Sequence, residues 1–297
     1  MLEEIFDKCI SKMSISLSQK SKESVLKEIS AWLKPSIKGE GPVITKDGSI
    51  TLVNPQYGEA YHSLTAGAIS ECLMKFVEPS RIVQKAQSKK KIRILDIGFG
   101  LGYNLAVAIE RIRSVNSRTE IEILSFEKLL SENIPLLPEP YKRYHKLLLD
   151  GFPEFCKDGI SFKLLLGDAR QKVGECRGFD ADAVFHDAFS PYRNPELWTY
   201  EFLKEIKEAI ATDGFWVSYT SSLPVRKALK LLGFGLNDSP NVGRKRGGTL
   251  ASLTIKDDLN FEDIRKINSS PYAIPFRDET LNTEPLEILV NYRLWVE

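Results

Sequence analysis

Apolar residues in this chain fall into short continuous runs, and several of these runs end on a carboxylate. Lys91-Ile92-Arg93-Ile94-Leu95 predicts a strand that runs into Asp96, Ile121 to Phe126 a strand ending at Glu127, and Ser161 to Leu166 a strand closing on Gly167-Asp168-Ala169. A fourth run, Ala183-Val184-Phe185, delivers His186 and Asp187 into the turn Ala188-Phe189-Ser190-Pro191. Continuous apolar runs bounded by turn residues are how strands buried on both faces read. Between them, Tyr103 to Ile112 and Leu223 to Leu232 are patterned as helices. That alternation predicts βαβ units and a parallel sheet starting near Ile92. Phe215 to Thr220 reads as a late strand and Gly233-Phe234 to Thr254 as a terminal hairpin.

The chain before Ile92 is patterned differently. Met1 to Lys38 is rich in Ser, Lys and Glu, with Val25, Leu26, Ile29, Trp32 and Leu33 at helical spacing. Asp47-Gly48, inside Thr45 to Val53, is a hairpin signal. A helix is expected over Leu64 to Phe76, then a polar, basic connector over Lys85 to Lys91.

Strands that end in a polar residue place side chains in the crevice beyond the carboxyl edge of an open sheet, where ligands of this architecture bind. Asp96, Glu127, Asp168 and Asp187 therefore converge, and Asp187, followed by a Pro-rich loop, is the candidate for catalysis. The plain alternative is that each carboxylate caps the helix after it. In Asp96-Ile97-Gly98-Phe99-Gly100-Leu101-Gly102, glycines at 98, 100 and 102 suit close backbone approach to a ligand at a positive helix end. Dinucleotide binding is open on this evidence. The Gly-x-Gly-x-Gly spacing and the acidic residue before it favour S-adenosyl-L-methionine (SAM) over NAD. Glu127 is placed to accept the ribose hydroxyls and Asp168 the adenine amino group.

Composition narrows the field. With 297 residues and 42% hydrophobic content the chain can bury one large α/β core. A net charge of +1 gives no overall signature of a nucleic-acid binder, so any RNA contact must come from a local patch; the densest basic cluster, Gly243-Arg244-Lys245-Arg246-Gly247, is more often a solvated turn than a phosphate contact. Cys9, Cys72, Cys156 and Cys176 are scattered, which argues against a zinc site or a disulfide framework. No signal peptide and no apolar run near the ~20 residues of a membrane span is visible, so a cytoplasmic protein without membrane association is expected.

The stretches Asp96 to Asn104, Phe126-Glu127-Lys128 and Asp187-Ala188-Phe189-Ser190-Pro191 through Asn194-Pro195-Glu196-Leu197-Trp198-Thr199 resemble one family, the methyltransferase domain of MnmC, a tRNA wobble-uridine modification enzyme. Tyr57-Gly58-Glu59-Ala60-Tyr61-His62-Ser63, Thr220-Ser221 with Val225-Arg226, and Gly243 to Arg246 are similar as well, and the resemblance spans roughly Asp47 to Leu253. The Asp-x-Phe-x-Pro and Asn-Pro-x-x-Trp combination is specific, whereas the glycine loop is not.

The resemblance implies a Rossmann-like α/β methyltransferase sheet with an N-terminal helical and hairpin extension. The expected division is 1–42 helical extension, 43–90 hairpin and helix entry segment, 91–256 SAM-binding domain and 257–297 C-terminal extension. It implies methyl transfer from SAM to the 5-aminomethyl group of wobble 5-aminomethyl-2-thiouridine in the tRNA anticodon stem-loop. Without a second nucleotide fingerprint for a flavin-dependent oxidase, the substrate is expected ready made, with neither flavin nor metal required. Asp187 is expected to act on the amine. Tyr61, Ser63, Asp96, Gly98, Gly100, Gly102, Asn104, Glu127, Asp168, Ala169 and Asp187 are expected around SAM. Phe189 and Pro191, with Tyr192, are expected on the uracil, and Arg193, Arg226, Arg244, Lys245 and Arg246 at phosphates. Core packing is the expectation for Trp198. Two alternatives stand beside this reading: an aminopropyltransferase of the spermidine-synthase type, whose catalytic Asp-Ser-Asp pattern is absent, and a noncatalytic SAM- or RNA-binding module.

Overall fold

In the computed structural model, which describes residues 1–242 and 247–296, the Ser, Lys and Glu rich beginning forms two helices, α1 (Leu2–Met13) and α2 (Gln19–Trp32). The Ser18 hydroxyl starts α2 by accepting the Ser21 N–H at 3.1 Å. A small antiparallel sheet follows, β1 (Gly41–Ile44), β2 (Ile50–Asn54) and β3 (Glu59–Ala60), its first turn at Asp47-Gly48 as the sequence predicts. The next helix, α3 (Ala68–Glu71), starts four residues later than expected and continues as a π-helical segment over Cys72–Val77. The reason is local: the Asp47 carboxylate accepts the Ser70 N–H at 2.9 Å and fixes the helix start beyond residue 64.

The main unit runs through α4 (Ile82–Ala86), β4 (Lys91–Ile97), α5 (Tyr103–Val115), β5 (Glu120–Glu127), α6 (Lys142–Asp150), β6 (Glu154–Lys157) and β7 (Ile160–Leu166). It continues as α7 (Ala169–Lys172), β8 (Ala181–His186), α8 (Tyr200–Lys207), β9 (Ile210–Ser218), α9 (Leu223–Leu231), β10 (Gly235–Asp238), β11 (Thr249–Ser252), α10 (Phe261–Ser269) and α11 (Pro285–Val296). The late strand ends at Ser218, two residues before the expected Thr220, and β6, α10 and α11 add to what the pattern had suggested.

Eight strands form one sheet in the order β10-β11-β9-β8-β4-β5-β7-β6. The five from β9 to β7 are parallel, and the antiparallel pairs lie at the two edges. This is the α/β Rossmann-like architecture expected. From β4 the chain winds outward through β5 to β7, then returns to lay β8 and β9 on the other side, so the strand order reverses between β4 and β8. That switch point opens a crevice at the carboxyl ends. Every residue of β8 is buried, as a central parallel strand requires.

Helices cover both faces. One core joins Phe76, Tyr103, Ile109, Ile123, Phe162 and Phe185; the other joins Leu95, Val184, Trp198, Phe202, Trp216 and Tyr292. A third, smaller cluster unites the two chain extensions: Phe6, Cys9, Val25 and Ile29 pack on Val290 and Leu294 of α11. Lys8 and Lys12 both pair with Glu287, at 2.9 and 2.6 Å, and Arg293 with Glu28 at 2.6 Å. Among the described residues no helix is long and apolar enough to cross a membrane, and no group of three or more His, Cys, Asp and Glu is placed to hold a metal ion.

Candidate active site

The crevice at the switch point is a cavity of about 640 Å³. It takes a residue or more from each of the carboxyl ends of β4, β5, β7 and β8, and its outer wall comes from the entry segment.

Its floor is the glycine loop. Gly98 has φ +91°, and a Cβ there would stand 2.9 Å from the Asp187 carbonyl oxygen. Only glycine lets the loop lie against the end of β8 in this way. The Gly98 and Phe99 N–H groups both donate to the Phe126 carbonyl at 3.0 Å, while the Asp187 N–H donates to the Ile97 carbonyl at 2.9 Å. The three strand ends are thereby locked edge to edge. Gly100 faces Tyr61, and its N–H donates to Glu127 Oε2 at 2.7 Å. Gly102, at φ +78°, turns the chain into α5 and packs on the Phe99 ring rather than lining the cavity.

Each carboxylate has its own environment. Glu127 also accepts the Lys128 and Leu129 N–H groups on Oε1; burial raises its pKa and these backbone bonds oppose the rise. Asp187 Oδ2 accepts the side-chain amide of Asn104 at 2.7 Å, so the first turn of α5 aims the acid into the cavity. Asp168 lines the cavity and also caps α7: its side chain accepts the Arg170 N–H at 2.9 Å and pairs with the Arg170 guanidinium at 2.8 Å, with about a quarter of it left exposed. Burial works against the Asp168 charge, but the Arg170 contacts outweigh it and hold the pKa below the usual value. Asp96 does not line the cavity. It is 1% exposed beneath the loop, receives the Ser125 hydroxyl at 2.6 Å, and burial lifts its pKa to about 8.

The remaining wall is aromatic and polar. Phe189 stacks on Tyr57 with ring centroids 4.2 Å apart and meets Tyr61 at 5.2 Å. Tyr61 is held by the Asn54 amide at 3.0 Å and Ser131 at 2.6 Å; the Ser63 N–H donates to Glu71 at 2.6 Å. Ala169 joins the wall at the start of α7. The loop after Asp187 is fixed from outside: Glu59 accepts the Ser190 N–H at 3.0 Å and its hydroxyl at 2.5 Å, and Tyr219 donates to the Ala188 carbonyl at 2.9 Å. Trp198 is fully buried, with its indole N–H on the Phe189 carbonyl at 2.8 Å, as core packing predicts.

The basic residues fall elsewhere. Arg226 is 2% exposed and turned into the protein, where it meets Thr249 at 2.9 Å, Asp238 at 2.5 Å and Asp263 at 3.2 Å. Its expected place at a phosphate is therefore corrected: a guanidinium so enclosed has no face left for RNA. Arg193 is likewise turned inward, donating to the Leu33 carbonyl behind the loop. Pro191 is buried and lines a separate, shallower groove with Tyr192 and Tyr272. Arg244, Lys245 and Arg246 lie outside the described residues.

Sequence reasoning missed Ser36 and Ile37, which reach the wall because their N–H groups both donate to the Gly58 carbonyl. It also missed Glu196, named only as a variable position of a motif. Glu196 is 5% exposed in the wall, burial raises its pKa, and its Oε2 is buried without a hydrogen-bond partner among the described residues. An enclosed acidic residue inside an Asn-Pro turn was the available signal.

Known proteins fit this geometry. Residues 131–254 match the family described as S-adenosyl-L-methionine-dependent methyltransferase. A crystal structure of MnmC2 from Aquifex aeolicus superposes with a TM-score of 0.94 at 51% identity, covering 99% of this chain and 97% of that one. An uncharacterized protein of Methanocaldococcus jannaschii is 37% identical over 86% of this chain and 72% of its own length. The tRNA 5-methylaminomethyl-2-thiouridine biosynthesis bifunctional protein MnmC of Burkholderia vietnamiensis is 27% identical over 66% of this chain, which spans 32% of that protein. These matches favour neither aminopropyl transfer nor a role without turnover.

Proposed function

The chain belongs to the MnmC2 family of SAM-dependent methyltransferases, and from that premise we propose that it methylates the primary amine of 5-aminomethyl-2-thiouridine at the wobble position of tRNA, giving 5-methylaminomethyl-2-thiouridine. The observation that carries this reading is Asp187, held by Asn104 in one cavity with the glycine loop and the Phe189 ring. The MnmC relatives are named for the biosynthesis of 5-methylaminomethyl-2-thiouridine in tRNA, which supports that product. The residues present suit the methyl donor: a cradle at Gly98 that any Cβ would fill, an acid at the end of β5 for a ribose, and a buried unpartnered carboxyl oxygen at Glu196.

When bound, SAM supplies a sulfonium methyl already activated for transfer, so the atoms balance without an oxidant, a flavin or a metal. The protein must present the amine with a free lone pair. An alkylamine with a pKa of ~10 is mostly protonated at neutral pH, and holding it neutral costs about 4 kcal/mol. Asp187 accepts an amine N–H, orients the nitrogen and receives the proton as the new N–C bond forms. Asn104 stops the carboxylate from rotating away. Phe189, stiffened by Tyr57 and by the bond from Trp198, offers the face on which an extruded uracil packs. Proximity then supplies much of the acceleration. The anticodon stem-loop is the partner this reading implies, and the cytoplasm the place of action.

The test is methyl transfer from labelled SAM to tRNA bearing the aminomethyl nucleoside, beside carboxymethylaminomethyl tRNA and putrescine. Label confined to the aminomethyl tRNA is the expected result; label on putrescine alone would overturn the proposal.

A further inference from the structure

Asp168 follows β7 in the cavity wall, with about a quarter of its side chain exposed. Its carboxylate is gripped by Arg170, which does not line the cavity. The Arg170 N–H and Nε donate to Oδ1 at 2.9 and 3.2 Å, and Nε and Nη2 to Oδ2 at 3.3 and 2.8 Å. A two-pronged guanidinium contact fixes the plane of a carboxylate, which a point charge does not.

Arg170 is held in turn from the C-terminal extension. Its Nη1 donates to Asp278 Oδ2 at 2.8 Å and to the Thr283 carbonyl at 2.7 Å, with the Arg170 side chain 8% exposed and that of Asp278 fully enclosed. Asp278 Oδ1 closes its own turn by accepting the Asn282 and Thr283 N–H groups at 3.1 and 3.0 Å. Glu201 of α8 ties this turn to the main unit, accepting the Asp278 N–H at 2.8 Å and Arg277 Nε at 2.6 Å. Three charged groups thus run in series into the wall: Asp278, Arg170, Asp168. The first lies outside residues 131–254, the segment that matches the methyltransferase family.

Capping α7 does not need this series, because the Arg170 N–H on Oδ1 already does it. An enclosed ion pair is also a weak source of stability. What the series does secure is the direction and charge of Asp168. Burial opposes that charge, and the Arg170 contacts outweigh it. An ionised carboxylate only accepts hydrogen bonds, so in the wall it suits an amino group and repels a carbonyl oxygen.

We propose that Asp278 and Arg170 are positioning residues for the methyl donor: through them the C-terminal extension aims Asp168 at the adenine amino group and sets the preference for an adenosyl ligand. Neither touches the ligand; both act through Asp168. The inference rests on the SAM-dependent reading of the site and is independent of the nucleic-acid substrate.

Calorimetric titration with S-adenosylhomocysteine and S-inosylhomocysteine, which carries a 6-oxo group in place of the amino group, reads that preference without turnover. The unaltered protein is expected to prefer the adenosyl ligand by about 10- to 100-fold, the scale of a hydrogen bond to a charged group, and Asp168→Ala to lose the preference. Asp278→Asn keeps an acceptor for the Asn282 and Thr283 N–H groups but turns a donor toward Nη1 and releases the guanidinium. The preference should then narrow to within about threefold, by loss of adenosyl affinity with inosyl affinity kept. Arg170→Lys keeps a positive charge between the two acids without the two-pronged grip and should narrow it as far, which keeps the test open should Asp278→Asn melt early. A merely structural role would weaken both ligands by the same factor. That result, or the full preference in any of these three variants when folded, would overturn the assignment. Failure of the unaltered protein to bind either ligand would count against the methyl donor itself and remove this inference with it, whereas binding without tRNA methylation would leave this inference standing and remove only the substrate proposal.

Discussion

The Asn104 side-chain amide donates to Asp187 Oδ2 across 2.7 Å, joining the first turn of one helix to the end of a strand 83 residues later. Asp187 is expected to be needed for chemistry and much less for binding the methyl donor. In Asp187→Ala, methyl transfer should fall by at least ~100-fold with SAM binding largely kept, the usual scale for a positioned acid-base group. Unchanged turnover would remove Asp187 from the catalytic role.

Asn104→Ala leaves that acid in place but unaimed. Its kcat should drop by about 10-fold, less than for loss of the acid, because the carboxylate still samples the productive direction. Single-turnover rates with saturating tRNA measure this, and a rate equal to that of Asp187→Ala would show that Asn104 does more than orient.

At Gly98, the backbone conformation and the Asp187 carbonyl 2.9 Å from an added Cβ both oppose a side chain. Gly98→Ala should cost ~1–2 kcal/mol in strain alone and should weaken SAM binding by more than about 10-fold, since the loop must move away from β8. Titration of the folded variant decides the point; affinity at the original level would mean that the loop tolerates the shift.

Arg226→Met should destabilise the fold by on the order of 3 kcal/mol, because Asp263 and Asp238 lose a buried partner. Asp238 is about one-third exposed, which moderates the cost. The salt dependence of tRNA binding should not change in the same variant. A lowered salt slope with unaltered stability would restore Arg226 to the RNA surface.

All three histidines of the chain are buried, and burial drives His62 and His186 down to about 3 and lowers His145 as well. The folded protein keeps them neutral while the unfolded chain protonates below about pH 6.5, so stability is intact above that value and is lost as pH falls. Each histidine adds up to ~1.4 kcal/mol per pH unit. Asp96 acts in the opposite sense: with its pKa near 8 it stays protonated when folded, and its contribution is lost as pH rises from ~4 toward 8. Asp96→Asn, which keeps an acceptor for Ser125, should remove that second slope. Urea unfolding from pH 5 to 8 measures both; an Asp96→Asn curve parallel to the unaltered one would place the Asp96 pKa near its ordinary value.

The places of Asp187, Glu127, Gly98 and Gly100 at the crevice were legible because each sits at the end of an apolar strand and the switch-point rule fixes where strand ends go, whereas Asp96 and Gly102, from the same stretch, turn away from the cavity. The Asp47-Gly48 hairpin was legible because its turn chemistry is local. Arg226 was not: a basic residue in the first turn of a helix reads as surface until Asp238 and Asp263, 12 and 37 residues further on, are seen to enclose it. Asp168 was half legible, since position gave its place in the wall and only the structure shows that it also caps α7 and pairs with Arg170. The contributions of Ser36 and Ile37 rest on backbone bonds to Gly58, which carry no side-chain signature.

Behind the acid-bearing loop, Arg193 donates to the Leu33 carbonyl and the Tyr192 ring lies 4.7 Å from Trp32, at the end of a helix that packs with α1 and α11. That mooring sets the order of events on heating. The peripheral three-helix cluster has a small core and should loosen first as a local cooperative unit. Inactivation then precedes melting: methyl transfer should fade at a lower temperature than the circular dichroism of the central sheet, and the gap between the two curves measures how far the loop relies on its anchor.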